Sequence, residues 1–213
     1  KLKFLRLEDL RKFSSKNKCK YKFIKGDINN FKLLNSCFKK HNISLVVHLA
    51  AQAGVRYSIK HPLTYVQNNI NGFFNVLEAC RQHKVKHLVY ASTSSVYGLK
   101  KRFPVKETDN TDKPLSFYAA TKKSNEVMAY SYSNIYGLRA TGIRFFTVYG
   151  PYGRPDMALY KFVEAIVKSK KIELFNKGNH IRDFTYIDDV TSSLIKILRK
   201  PPKGKIPHSI FNL

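Results

Sequence analysis

Two apolar segments of strand length constrain the fold of this chain more than any other feature. One begins at Ser44 and reads S-L-V-V-H-L-A, and the other begins at His87 and reads H-L-V-Y-A-S-T-S-S. Runs of this kind, apolar throughout, are typical of parallel strands covered on both faces. Between them, Pro62 can open a helix whose apolar spacing lasts to about His83. Strand, helix and strand in this order predict a parallel sheet.

Helical and strand-like patterns continue on both sides of this segment. Helices are predicted at Leu2–Lys16, Asn30–His41, about Met157–Ser169 and about Ile187–Leu198. Further strands are predicted at Y-K-F-I-K from Tyr21, at Arg139–Thr147 and at I-E-L-F from Ile172. We therefore predict an α/β fold, with a doubly wound parallel sheet in residues 1–150 and a small mixed α/β lobe in residues 151–213.

The charge balance of the chain is extreme. It has 39 Lys and Arg against 14 Asp and Glu, a formal net charge of +25. A basic nucleic-acid-binding protein with an enzyme-like fold is therefore one interpretation, and DNA binding with a steep salt dependence would favour it. Because the cations are spread over the whole length and form no single stripe, we expect no nucleic acid as a partner.

The sequence shows no sign of a membrane segment or a metal site. No apolar run approaches the length that spans a bilayer. Cys19, Cys37 and Cys80 are odd in number and far apart, without C-x-x-C spacing. Thiols of this kind suit a reducing compartment, so we expect a cytoplasmic protein.

The stretch S-F-Y-A-A-T-K-K-S-N-E-V-M, from Ser116 to Met128, carries the most suggestive pair of residues. Tyr118 and Lys122 are four positions apart, so on a helix their side chains share one face. A neighbouring ammonium favours the phenolate form of tyrosine, which can then accept a proton. The alternative is a half-buried aromatic beside a solvated lysine, a pair that arises easily by chance.

Several blocks in a fixed order resemble one enzyme family. They are H-L-A-A-Q-A after a strand, N-N-I-N-G before a helix, S-T-S-S-V-Y-G and Y-A-A-T-K. In this combination they resemble the extended short-chain dehydrogenase/reductase family of nucleotide-sugar epimerases and dehydratases. The later stretches R-F-F-T-V-Y-G-P-Y-G-R-P-D-M and G-N-H-I-R-D-F-T-Y-I-D-D-V are closer still to UDP-glucuronate 4-epimerases. The resemblance implies a Rossmann-like sheet, an NAD cofactor and a UDP-sugar substrate.

The resemblance assigns roles to three catalytic residues. It implies that Tyr118 is the base, that Lys122 lowers the pKa of Tyr118 and bonds the nicotinamide ribose, and that Thr93 bonds the reacting sugar oxygen. UDP-glucuronate would become UDP-galacturonate through transient oxidation at C4. For Thr93 the structural alternative is a capping or turn hydroxyl at a strand end.

Further residues are matched to the cofactor and the substrate. The cofactor-binding positions implied, besides Tyr118 and Lys122, are Asp27, Ile28, Leu49, Ala50, Ala51, Ala53 and Asn68. Thr147 and Arg182 match substrate-binding positions, and Arg56 and Arg154 are candidates for the glucuronate carboxylate. The structural alternatives are tight packing for the alanines and solvated surface positions for Asn68 and the arginines. We interpret His48 as a core or strand-end histidine.

Ser94 and Ser95 favour epimerisation over its sibling reactions. UDP-glucuronate decarboxylases carry Glu at the place of Ser95, and the sugar dehydratases carry an acidic pair just after the threonine. Neither acid is present here. A decarboxylase or dehydratase therefore remains the alternative within this family.

One departure from the family pattern concerns the cofactor. The family has a Gly-rich phosphate loop after its first strand and an acidic residue at the end of its second, and neither occurs here. We therefore expect a partial chain that lacks the first two strands, binds NAD poorly and is nearly inactive. The resemblance also implies a homodimer packed through the helices of Asn68 and Tyr118.

Overall fold

The computed structural model describes residues 2–100, 102–172, 174–179 and 181–213. The α-helices in these ranges are α1 (Leu2–Lys16), α2 (Phe31–His41), α3 (Val55–Lys60), α4 (Pro62–Tyr65), α5 (Gly72–Gln82), α6 (Phe117–Tyr136), α7 (Ala158–Val167) and α8 (Ile187–Leu198). The strands are β1 (Leu45–His48), β2 (His87–Thr93), β3 (Ala140–Phe145), β4 (Thr147–Tyr149), β5 (Phe184–Tyr186) and β6 (His208–Asn212). A π-helical turn (Val66–Asn71) joins α4 to α5, and 3-10 turns lie at Ser94–Tyr97 and Phe175–Gly178.

Four parallel strands form the main sheet, in the order β1-β2-β3-β6. His48, the last residue of β1, lies opposite Tyr90, so β2 continues three residues further, to Thr93 beside Phe145. Because the strands are parallel, their carboxyl ends meet at one edge of the sheet. The predicted crevice outside that edge is therefore where the loops after β1, β2 and β3 begin.

Helices cover the sheet on both faces, as the doubly wound prediction requires. Leu88 and Tyr90 of β2 belong to a buried cluster with side chains of α2, α5 and α6. The alternating residue His87 donates a hydrogen bond from its ring Nδ1 to the carbonyl of Leu198, where α8 ends, so α8 lies on the opposite face. The α/β fold with a parallel sheet is confirmed.

Local capping explains where α2 and α6 begin and end. The side chain of Asn30 accepts a hydrogen bond from the backbone N–H of Leu33, and Ser116 does the same for Ala119 at the start of α6. At the other end of α6, Gly137 has a φ of 64°, a left-handed conformation that glycine adopts at low cost. The cap at Ser116 places Tyr118 in the first turn of α6 and Lys122 one turn later.

Three predictions of strand structure are wrong. The chain from Tyr21 is irregular and exposed, because no described strand lies beside it to pair with its backbone. At the predicted I-E-L-F strand, Phe175 begins a 3-10 turn, and residue 173 lies outside the described residues. The third wrong prediction is that the strand from Ser44 is covered on both faces. Leu45 and Val47 of β1 are 45% and 36% exposed. They lie on the face of the sheet where α8 covers β2.

The chain folds into two compact units. The first comprises Lys1–Asp27 with Gly150–Ile172, where Tyr152 donates a hydrogen bond to Asp9 over 3.0 Å. The second comprises Ile28–Tyr149 with Glu173–Leu213 and holds the main sheet and the pair β4-β5. The predicted division at residue 150 stays a prediction. The main sheet also contains a strand that was not predicted from the sequence: β6 pairs with β3.

Candidate active site

Lys122 is buried in the second unit. Its side chain lies on α6 with only 2% of the residue exposed, and its Nζ donates a hydrogen bond to Oδ1 of Asn125 over 3.1 Å. Burial lowers the pKa of Lys122 to about 8, and the nearby carboxylate of Glu126 acts in the opposite direction. The interpretation of Lys122 as a solvated surface lysine is therefore wrong.

Tyr118 is half-buried and packs against a tyrosine of α4. Its ring meets that of Tyr65 edge to face, with 6.2 Å between the ring centroids. The hydroxyl of Tyr65 lies 2.9 Å from the carbonyl oxygen of Ala53 and 2.6 Å from that of Gly54. Tyr65 thus connects the start of α6 to the loop after β1, which carries several of the predicted cofactor residues.

Asn69, in the π-helical turn, joins this loop to α6. Its side chain accepts a hydrogen bond from the N–H of Gln52 (2.8 Å) and donates to the carbonyl of Gln52 (3.0 Å) and to the hydroxyl of Thr121 (3.0 Å). Its carbonyl accepts from Asn125 over 2.6 Å. The predicted residue Asn68, also in the π-helical turn, instead donates to the carbonyl of Thr64 in α4 over 2.8 Å. Asn69 is thus the buried connection here, a role that the sequence analysis missed.

Thr93 ends β2 and caps the turn that follows. Its hydroxyl oxygen accepts a hydrogen bond from the backbone N–H of Ser95 over 3.2 Å, and the residue is buried. The capping interpretation is thus confirmed. A hydroxyl can accept a second hydrogen bond and donate one, so the catalytic assignment of Thr93 is compatible with this role and stays a prediction.

A buried ion pair lies behind these residues. The guanidinium of Arg144 on β3 donates two hydrogen bonds to Glu126 on α6, at 2.9 and 2.8 Å. Ser92, the neighbour of Thr93, donates to the same carboxylate over 2.6 Å. Although burial acts to raise the pKa of Glu126, the hydrogen bonds from Arg144 and Ser92 lower it. The carboxylate is therefore charged at neutral pH.

A cavity of about 1020 Å³ opens at the carboxyl end of the sheet. Thr147 and Arg182, both predicted to bind substrate, line it together with Ser94, Tyr97 and Lys100. Ser94 directly follows Thr93, which places the cavity next to the end of β2. Tyr118, Lys122, Thr93 and Arg56 are not among the described residues that line it.

The remaining predicted residues have varied surroundings. Ile28 packs against Gly72 of α5, and its carbonyl accepts a hydrogen bond from Asn75 over 2.9 Å. Leu49, Ala50 and Ala51 are exposed after β1, and Arg56 is exposed on α3. Asp27 and Arg154 belong to the first unit, where Nε and Nη2 of Arg154 both donate to the carboxylate of Asp156.

His48 is a buried strand-end histidine, as interpreted. It closes β1 and packs against Phe73, with 5.4 Å between the ring centroids. Burial, with a smaller contribution from the positive charge of Lys122, lowers the pKa of His48 to about 3. The ring is therefore neutral at pH 7.

The described ranges contain neither a cluster of metal-ligating side chains nor a helix that could cross a membrane. No group of three or more His, Cys, Asp or Glu side chains in these ranges could hold a metal ion. No helix in the same ranges combines the length and the apolar character needed to cross a membrane.

Helical spacing could have revealed some of the residues that the sequence analysis missed. Asn125 and Glu126 follow Lys122 by three and four positions, so a helix places them on its face. Arg144 lies on a separate strand, and only the sheet brings it to Glu126. For Asn69 no sequence signal separates it from Asn68 beside it.

Comparison with known proteins assigns the family. The chain matches the model of the NAD dependent epimerase/dehydratase family over residues 4–213. Protein CapI of Staphylococcus aureus is 52% identical over 85% of this chain and 54% of its own length. UDP-glucuronate 4-epimerase 4 of Arabidopsis thaliana is 51% identical over 85% of this chain and 42% of its own length.

Solved structures agree with this assignment. UDP-glucuronic acid 4-epimerase from Bacillus cereus, in complex with UDP-glucuronic acid and NAD, superposes with a TM-score of 0.82. It is 38% identical, and the match covers 90% of this chain and 59% of that one. The chain thus spans about half the length of the curated relatives it matches. With the family model matched over nearly all of its residues, the chain belongs to the NAD dependent epimerase/dehydratase family.

Proposed function

We propose that this chain carries the catalytic residues of an NAD-dependent UDP-sugar 4-epimerase that converts UDP-glucuronate to UDP-galacturonate. The observation that carries the proposal is the buried Lys122 ammonium, one helical turn after Tyr118 on α6. A buried cation beside a phenol favours the phenolate, which is what a proton acceptor for a sugar hydroxyl needs. The cavity next to Thr93 carries Arg182, a cation suited to a UDP-sugar diphosphate.

The residues at the sheet edge fit the nicotinamide end of NAD. Lys122 has three N–H donors, and Asn125 accepts from one of them, so donors remain for a ribose hydroxyl. After β1 the small side chains of Ala50 and Ala51 leave the exposed backbone open to close approach. The residues proposed to hold NAD are Asp27, Ile28, Leu49, Ala50, Ala51, Ala53, Asn68, Tyr118 and Lys122. When bound, NAD supplies reversible oxidation at the sugar carbon.

In the proposed mechanism Tyr118 and Thr93 act on the C4 oxygen of the sugar, and Lys122 acts on Tyr118. Tyr118 as phenolate accepts the proton of the C4 hydroxyl when that carbon is oxidised, and returns it when the carbon is reduced on its other face. Lys122 stabilises the phenolate by its charge. Thr93 holds the same oxygen by a hydrogen bond and so keeps C4 in position.

UDP-glucuronate is the substrate that the similar proteins favour. Proteins named UDP-glucuronate 4-epimerase are 51% identical to this chain, and the Bacillus cereus structure contains UDP-glucuronic acid. We propose that Arg182 and Thr147 bind the diphosphate end of the substrate. Arg56 and Arg154 stay candidates for the glucuronate carboxylate, although Arg154 would first have to release Asp156.

The test of this proposal is a chimera. Because the 213 residues contain no G-x-G-x-x-G loop for the pyrophosphate, we expect weak NAD binding and no measurable turnover from this chain alone. A chimera of this chain with the part of the Bacillus cereus enzyme outside the matched 59% should form UDP-galacturonate from UDP-glucuronate, a reaction followed by NMR. Tyr118→Phe should then lower turnover by about 100-fold to 10,000-fold while UDP-glucuronate binding is kept.

Tyr136→Phe is the matched control, since Tyr136 is exposed at the other end of α6. It should leave turnover unchanged. Release of carbon dioxide or water from UDP-glucuronate would show the decarboxylase or dehydratase reaction. Full activity of the Tyr118→Phe chimera would rule out Tyr118 as the base.

We also propose a homodimer packed through α5 and α6. Both helices carry exposed apolar side chains, Phe74 on α5 and Val127 and Tyr130 on α6. Val127→Glu should weaken self-association at least about tenfold, since the charge would be buried without a partner. Sedimentation equilibrium measures this change. Val163→Glu, at an equally exposed valine on α7, is the control and should leave association unchanged. A monomeric wild-type chain would contradict the proposal.

We propose the cytoplasm as the compartment. Cys19, Cys37 and Cys80 are all free thiols in the structure, which fits a reducing environment. That nucleic acid is not a partner stays a prediction, tested by the salt dependence of DNA binding.

A further inference from the structure

Glu126 occupies a central place among the elements around the candidate site. From α6 its carboxylate accepts hydrogen bonds from Ser92 of β2 at 2.6 Å and from Arg144 of β3 at 2.9 and 2.8 Å. The two ion-paired side chains are only 4% and 5% exposed. Ser92 directly precedes Thr93, so this carboxylate ties the helix of Tyr118 to the strand end of Thr93.

Arg144 extends the contact to the other elements at this edge. Its Nη1 donates to the hydroxyl of Tyr97 over 2.9 Å and to the carbonyl of Glu107 over 3.1 Å. The hydroxyl of Tyr97 in turn donates to Asn212 of β6 over 2.6 Å. One buried ion pair therefore connects α6 with β2, β3 and β6 and with the loop that contains Glu107.

Glu126 also lies one helical turn after Lys122. Residues four positions apart on a helix share a face, and the lysine is nearly inaccessible to water. A buried ammonium loses hydration and becomes easier to deprotonate unless an anion lies close to it. Glu126 is the anion that opposes the effect of burial on the pKa of Lys122.

We propose that Glu126 is a positioning residue for the Tyr118 base. Its carboxylate is the counter-charge that keeps the buried Lys122 ammonium protonated, and its hydrogen bonds to Ser92 and Arg144 hold α6 against the strand end that carries Thr93. The role of Tyr118 as base rests on the proposed function. The effect of Glu126 on Lys122 belongs to the folded chain itself and can be measured without turnover.

Several other titratable groups surround the two residues. Lys122 faces His48 of β1, which is neutral at pH 7, and follows Tyr118 on its own helix. The charges and titratable groups that interact with Glu126 are Lys122, Lys123, Arg144, Tyr90 and His208. With His48 and His208 both neutral at pH 7, Glu126 is the anion whose removal should act most directly on Lys122.

The experiment titrates Lys122 in the 213-residue chain. With lysine labelled at the ε carbon, the Lys122 signal is assigned by its absence in Lys122→Arg and followed by NMR from pH 6 to pH 11. Glu126→Gln keeps the shape of the side chain and removes its charge. We expect it to lower the pKa of Lys122 by about one unit or more, and Glu126→Asp, which keeps the charge, to restore most of the difference.

Glu78→Gln is the matched control. Glu78 of α5 also accepts two hydrogen bonds from an arginine, Arg81, and one from Tyr132 of α6. It should leave the pKa of Lys122 unchanged, because Glu78 is not among the charged groups that act on that pKa.

Two results would overturn the proposal. One is an unchanged Lys122 titration in Glu126→Gln, and the other is an equal shift in Glu78→Gln. If Glu126→Gln does not fold because Arg144 is left unpaired, the double variant Glu126→Gln with Arg144→Met removes both charges, and Lys122 should still titrate at lower pH than in the wild-type chain. Loss of the proposed epimerase activity would not affect any of these measurements.

Discussion

Arg144→Met is expected to lower the free energy of unfolding by about 3–5 kcal/mol. The substitution removes the partner of Glu126, whose buried carboxylate accepts two of the hydrogen bonds that the guanidinium donates. It also removes a donor from the hydroxyl of Tyr97. A buried charge without its partner costs more than the pair contributes, which is why the expected loss is large. Urea denaturation followed by circular dichroism measures it.

A second substitution separates the effect of charge from the effect of packing. If the unpaired carboxylate causes the loss, Glu126→Gln added to Arg144→Met should recover a substantial part of the stability. Arg81→Met, which breaks the more exposed pair with Glu78, should cost much less. Equal losses in Arg144→Met and Arg81→Met would show that burial of the Arg144 pair has no special effect on stability.

Acid should destabilise the chain through His48. The pKa of this buried ring is lowered from 6.5 to about 3, so the folded state holds it neutral. As the pH falls through 6.5 the unfolded chain takes up a proton that the folded chain does not, and the free energy of unfolding decreases until the pH reaches about 3. At about 1.4 kcal/mol per pKa unit, the whole effect is about 5 kcal/mol.

His48→Leu tests this prediction by removing the titrating group. Between pH 7 and pH 4.5 the wild-type chain should lose roughly 2–3 kcal/mol more stability than the variant. The reason is that the unfolded chain becomes protonated at His48 over about two pH units, from 6.5 to 4.5, while the folded chain stays neutral there. The measurement is chemical denaturation at both pH values. His41→Leu, at an exposed histidine that ends α2, should behave like the wild-type chain. The same pH dependence in His48→Leu and the wild-type chain would contradict the assignment of this effect to His48.

Sequence periodicity predicted β2 and β3 because both strands are buried, and it predicted α6 because that helix is long. The run from His87 is apolar because helices cover β2 on both faces, and α6 begins at the serine that caps it. The segment from Tyr21 has a similar alternation and is not a strand, since pairing depends on a neighbour that periodicity cannot supply. β6 was missed because its apolar run is short and its place in the sheet depends on β3.

The candidate site was predictable where spacing along one helix decides it. Tyr118 and Lys122 share a face of any helix that contains both. By the same spacing rule, Asn125 and Glu126 lie beside Lys122 on that face. Spacing could not show that Lys122 is buried, because burial depends on the elements packed around α6. The substrate candidates Thr147 and Arg182 are 35 positions apart, and the cavity brings them together through the pairing of β4 with β5.

The amino-acid sequence by itself determined the alternation of strands and helices, the family and the Tyr118–Lys122 pair, because each depends on residue type and short spacing. Tertiary structure alone decided that Arg144 pairs with Glu126, that Asn69 bonds Gln52, and that Lys122 is nearly inaccessible to water. These features arise where separate segments exclude water between them, and the resulting loss of hydration changes what a charged side chain can do.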